Sequence, residues 1–422
     1  MKEDFLYFIW QHQAFDKHNL RAKNGDKIQV IHPGTLNDTS GPDFFNAKVK
    51  MGNHIWAGNI EIHVRSSDWF VHGHEQNSRY DNVILHVVWE YDVPVFNTKG
   101  VEIPVLELKN VIKREMLEKY KQFFSKNTAL KCSNDQPVLN EHEKKFYEEA
   151  LFTERLQNKT GRIFQILEKN NQDWETVLYI MLLRYFGVKN NSDAFEEIAQ
   201  RLPYSIFKKH KHDLDQSESL LMGVAGLLEE DFPFDPYYAK LRAEYLFLKE
   251  KYQLKPIQTN LNFGRTRPSG FPTIRLSQFA RLYFSAHDLF STLIKNDEVS
   301  NIKKALRINA NDYWNKHFNF GKPSKERKKY TGENFINNLI LNVVLPLKYA
   351  YFSYYDEVNP DALFKIAMEL PPEKNRKTGY FEQSGLVIEN ALASQAYIQL
   401  FDYYCSLNKC LHCRMGNKIF LK

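Results

Sequence analysis

A chain of 422 residues with 43% hydrophobic and 26% charged side chains has the size for two or three domains and the composition of a folded globular protein. Its net charge of +6, from 57 basic against 51 acidic side chains, is too mild to announce a polyanionic partner by itself, because placement decides such binding. Four cysteines exclude a disulfide scaffold, and the N-terminus and the apolar runs suit neither a signal peptide nor a bilayer span; the expectation is a cytoplasmic protein without membrane association.

In chain order, Asp4 to Phe15 carries the apolar spacing of a helix, with Glu3 in its first turn, and Lys27 to Ile31 reads as a short strand stopped by His32-Pro33-Gly34. Gly41-Pro42-Asp43 predicts a turn that delivers Asp43 to the mouth of a second strand. Gly52-Asn53 predicts a hairpin, and on the return strand Ile60, Ile62 and Val64 share one face while Glu61, His63 and Arg65 share the other. Ser66-Ser67-Asp68-Trp69 marks a turn or helix start, Asn82 to Trp89 a central strand apolar on both faces, and Val101 to Leu108, with its proline, an edge strand. From about Asn110 the pattern turns helical and stays so, which places an α/β domain over residues 1–125 and an α-helical domain over residues 126–422.

A helix, a strand, an acid heading a second strand and Glu-x-His on a third resemble the PD-(D/E)XK nuclease superfamily. The resemblance implies an α+β or α/β fold with a restriction-endonuclease-like mixed sheet. It implies metal-dependent cleavage of nucleic-acid phosphodiesters, with Asp43 and Glu61 holding Mg²⁺ or Mn²⁺ and His63 in the place of the usual lysine, orienting or activating the water. Carboxylates suit hard cations, and an imidazole accepts a proton near neutral pH. The alternative from another class is a binding protein on a degenerate nuclease fold, its acids without metal. A rival enzyme reading gathers His63, His72, His74 and His86 with Glu61 around Zn²⁺, Fe²⁺ or Mn²⁺, as in β-sandwich metalloenzymes.

Arg265, Arg267 and Arg275 lie in a Gly- and Pro-rich loop ending at a helix. With Arg65 they are the candidate nucleic-acid contacts; the other reading has the loop arginines pin that loop to carboxylates and carbonyls. At the C-terminus Cys405, Cys410 and Cys413 form a C-x₄-C-x₂-C cluster. With Cys132 or His412 as fourth ligand it suits zinc or an iron–sulfur cluster. Over nearly its whole length the chain also resembles an uncharacterised bacterial family, domain of unknown function 2851. The resemblance rests on G-P-D-F at Gly41, G-N-I-E-I-H at Gly58, S-S-D-W-F-V-H-G-H at Ser66, F-P-T-I-R at Phe271 and the terminal C-x₂-C.

Overall fold

A computed structural model describes residues 2–37, 39–135, 138–229, 235–264 and 267–421. The chain divides into two compact units, Met1–Tyr147 with Gly379–Val387 and Leu400–Lys422, and Glu148–Thr378 with Ile388–Gln399.

The first unit is a six-stranded mixed sheet with a helix on one face. It begins with α1 (Glu3–Gln11), β1 (Ile28–His32) and the short β2 (Thr35–Leu36). β3 (Phe44–Met51) and β4 (His54–Arg65) follow as the predicted hairpin, turning at Gly52, whose φ of +57° suits glycine. Then come the one-turn α2 (Asp68–Val71), β5 (Val83–Glu90), β6 (Val105–Glu107) and α3 (Arg114–Ser125). The strand order is β1-β3-β4-β5-β6, with β2 also paired to β3; β1, β3 and β4 run antiparallel, and β4, β5 and β6 run parallel. β5 is central and β6 lies at the edge just after Pro104, as their sequences predict.

Alternation on β4 sorts two cores. Ile60 and Ile62 face Phe5, Leu6, Ile9 and Trp10 of α1, a core that Leu411, Ile419 and Phe420 complete from the far end of the sequence. The opposite face carries Trp69, Tyr80, Val88, Ile103 and Val105. Glu61 and His63 are therefore buried, at 4% and 2% exposure, and do not lie on a solvated outer face.

The second unit is mainly helical. Trp174–Phe186 and Leu214–Val224 are apolar nearly all round and supply its centre, together with Pro272–Ser285. A two-stranded ladder, His317–Asn319 with Lys322–Pro323, interrupts the helices. Among the described residues no helix is long and apolar enough to cross a membrane.

Candidate metal centre

The site is built where the start of β3 meets the C-terminal half of β4, at the end of the pair away from the Gly52 hairpin. Gly41, at φ +112°, bends the backbone so that Asp43 stands immediately before β3. The two acids then brace one another: the Asp43 N–H donates to Glu61 Oε2 at 3.1 Å, and the Ile62 N–H donates to Asp43 Oδ2 at 2.8 Å. Tyr7 of α1 donates its hydroxyl to Asp43 Oδ1 at 2.9 Å. No sequence pattern singles out Tyr7; its role follows from α1 packing against β4. A bulge in β3, where Asn46 has φ +57° and the register shifts between Phe44 and Ala47, lies beside the acids.

Four histidines gather on the same side. His63 Nδ1 lies 2.9 Å from His86 Nε2, and His63 Nε2 lies 3.0 Å from His72 Nδ1. His72 and His74 are carried there by α2 and by the turn at Gly73, whose φ is +68°. His74 Nε2 is 3.1 Å from Glu61 Oε1 without the alignment of a hydrogen bond, and both of its ring nitrogens are buried with no hydrogen-bond partner among the described residues. Its ring is clamped between neighbours, stacked on Tyr80 at 3.8 Å and edge-on to Trp69 at 5.2 Å. Glu61 Oε1 is also 3.6 Å from His63 Nε2.

One ligand atom each of His63, His72 and His74 falls within 4.8 Å of the others. An ion with bonds of about 2.0–2.2 Å spans donors up to about 4 Å apart, and the exposed His72 closes the remaining gap by rotation at little cost. Glu61 Oε1 stands beside this triad, 3.1 Å from His74 Nε2 and 3.6 Å from His63 Nε2, as a fourth candidate donor. His86 then acts behind it, fixing the tautomer and tilt of His63 through the other ring nitrogen.

The electrostatics suit a cation. Burial, then the neighbouring Glu61, raises the Asp43 carboxyl to about 7 against the Ile62 N–H and Tyr7 hydroxyl that favour its charged form. Burial raises Glu61 to about 8, with Glu3 adding repulsion. Burial and then its imidazole neighbours lower His63 to about 2, and burial lowers His86 to about 3. Neutral imidazoles are the ligating form, and two buried carboxyls that resist ionising alone are relieved by a divalent charge.

The family described as "Protein of unknown function (DUF2851)" matches residues 3–376. The chain belongs to that family. The match spans both units and takes in every residue of the acid and histidine cluster. No curated protein and no solved structure matches the chain.

The remaining candidates of this DUF2851 chain are dispersed. Arg65 is exposed at the end of β4. Arg265 lies outside the described residues, Arg267 is exposed, and Arg275 is buried in the first turn of Pro272–Ser285, its guanidinium 3.6 Å from the Phe335 ring centre and bonded to Gln278. All four cysteines belong to the first unit and none is in a disulfide. Cys132 and Cys410 pack on the same core. Burial, then Cys413 and Cys132, raises the Cys410 thiol to about 12, so the three sit within electrostatic reach of one another, and Cys405 is pushed up by burial and by all three. His412 is 3.7 Å from Asp4.

Proposed function

We propose that the first unit is a metal-dependent phosphodiesterase acting on nucleic acid, in which Glu61, His63, His72 and His74 hold Mn²⁺ or Zn²⁺. The observation that carries this reading is the convergence of three imidazole nitrogens, with Glu61 Oε1 close to two of them and His74 without a hydrogen-bond partner among the described residues. A mixed nitrogen and oxygen donor set favours borderline Zn²⁺, and transition-metal Mn²⁺ after it, over Mg²⁺, which takes oxygen ligands. When bound, such an ion stabilises charge on a phosphate and lowers the pKa of a coordinated water. Asp43, held by Tyr7 and the Ile62 N–H within electrostatic reach of Glu61 and His74, would take the proton of the attacking water.

Two features support nucleic acid as the substrate. The element order, α1, then antiparallel strands with Asp43 heading β3 and Glu-x-His on β4, then parallel β5, is the one on which the nuclease resemblance rests. Arg65 ends the same strand, about 13 Å along from Glu61, a distance at which its fork grips a neighbouring phosphate. The histidines named in the rival reading do converge, but on a single mixed sheet and not a sandwich.

The test is cleavage of single- and double-stranded DNA and RNA in Mn²⁺, Zn²⁺ and Mg²⁺, with EDTA as control. Cleavage in Mn²⁺ or Zn²⁺ is expected, with kcat falling about 10²–10⁴-fold in Asp43→Asn. Metal-loaded wild type that binds nucleic acid and cuts none of these substrates replaces the enzyme with the non-catalytic reading.

The same proposal includes a second, structural centre in which Cys132, Cys405, Cys410 and Cys413 hold zinc or an iron–sulfur cluster. Cys132 and Cys410, from two distant segments, pack on one core, and Cys405 and Cys413 lie within electrostatic reach of them, which supports it. Anaerobically purified protein is expected to carry stoichiometric zinc if colourless, or iron and sulfide if brown; a colourless, zinc-free protein refutes it.

A further inference from the structure

The second unit contains a cavity of about 640 Å³, within the size range of ligand sites. Its wall brings together Arg155, Arg184, Lys189, Arg275 and Lys377 against one carboxylate, that of Glu373. Part of this charge is spoken for. Arg184 pairs with Asp193 and Glu196, and Glu373 accepts from Asn375 and Gln395.

Arg275 is different. It is 8% exposed and makes no ion pair among the described residues; one amino group donates to the neutral Gln278, its face lies on Phe335, and its Nε is buried without a hydrogen-bond partner. A buried guanidinium without a counter-charge costs several kcal/mol by order of magnitude, and proteins hold one where an anion offsets it. Nearby Lys159 also makes no ion pair among the described residues, donating to Asn342 of the cavity wall at 2.7 Å. Burial and then Arg155 lower this ammonium to about 7, with Glu373 opposing them.

The rest of the wall sets what kind of anion fits. Asn334, Asn338 and Asn342 offer neutral donors and acceptors, and Tyr185 and Phe335 supply flat apolar surface. A bare inorganic ion leaves most of this volume and all of the apolar surface unused. We infer that the cavity binds a phosphate-bearing small molecule of nucleotide size, its phosphate on Arg275 and its organic part against the amide and aromatic wall.

This site is independent of the metal centre, and the experiment keeps them apart. Isothermal titration of the full-length protein with ADP, inorganic phosphate and citrate is done with EDTA present, so that no divalent ion at the first unit takes part. The expected result is saturable ADP binding at one site per chain, tighter than phosphate or citrate. Lys189→Glu, at the exposed rim, weakens ADP by roughly tenfold or more, and Arg275→Gln does the same or abolishes it. Unfolding temperatures measured on both variants identify any loss of fold, and Lys189→Glu decides the case if Arg275→Gln is unstable. Absence of ADP binding at millimolar concentration, equal affinity for citrate, or unchanged affinity in Lys189→Glu overturns the inference.

Discussion

Asp43 and Glu61 each accept a hydrogen bond from the other's strand, so neither side chain can leave without loosening the junction of β3 and β4. Their folded-state carboxyls, at about 7 and 8, lie above the usual carboxylate range near 4, so the metal-free folded protein binds protons more tightly than the unfolded chain. The stability this contributes is complete at low pH and is lost as pH rises through 7 and 8. His63 and His86 act oppositely, because their depressed values cost stability as pH falls below about 6.5. Within this cluster only the carboxyls still titrate between pH 6.5 and 8, and Lys159 of the second unit, lowered to about 7, acts oppositely there. Metal-free protein should therefore lose roughly 1 kcal/mol per pH unit for each carboxyl still protonated across that window. Urea titrations in EDTA check this: Glu61→Gln should flatten the slope, whereas a slope unchanged by that substitution contradicts the assignment. Of these residues Asp43, Glu61 and His63 are legible from glycine, proline and alternation alone. Tyr7 is not, because only the packing of α1 on β4 brings its hydroxyl to Asp43.

At the scale of elements, the site depends on β4 and β5 lying close. A Cβ at Gly58 would stand 2.4 Å from Ile84 Cγ2 and 2.6 Å from the Asn82 carbonyl oxygen. Backbone cannot retreat as a flexible side-chain end can, so Gly58→Ala should push the parallel pair apart and destabilise the first unit by about 1–3 kcal/mol, read from the urea midpoint. An unchanged midpoint means the strands yield without cost. The same clash explains why G-N-I-E-I-H opens with glycine. The β3–β4 hairpin and the central place of β5 are readable from period-two alternation and a two-sided apolar run. The reach of His72 and His74 is not, since a one-turn helix and a left-handed glycine set their approach and neither leaves a periodic trace.

For the whole molecule, the first unit is discontinuous in sequence. Phe420, 1% exposed, meets Phe8, Phe123 and Phe124, and the Lys119 ammonium donates to the Ile419 carbonyl at 2.6 Å. Phe420→Ala should therefore cost about 3–5 kcal/mol in the first unit, seen as loss of its unfolding transition at a lower urea concentration. A change below about 1 kcal/mol would show that the tail is dispensable to this core. The cysteine spacing draws attention to the C-terminus but does not say which core the Arg414–Leu421 helix fills, so a single boundary near residue 125 is what the sequence suggests. The return of Gly379–Val387 and Leu400–Lys422 to the first unit emerges only from long-range contacts.

The central claim is that Glu61, His63, His72 and His74 form one metal site. Titration of metal-free protein with Mn²⁺, followed by the electron paramagnetic resonance signal of the free ion, measures it directly and is blind to zinc or iron at the cysteines. The account predicts one Mn²⁺ bound per chain in the wild type, lost in His74→Ala and in Glu61→Gln, and weakened about 10–100-fold in His86→Phe, which removes the partner of His63 Nδ1. Equal Mn²⁺ binding by wild type and His74→Ala, or none by either, contradicts it.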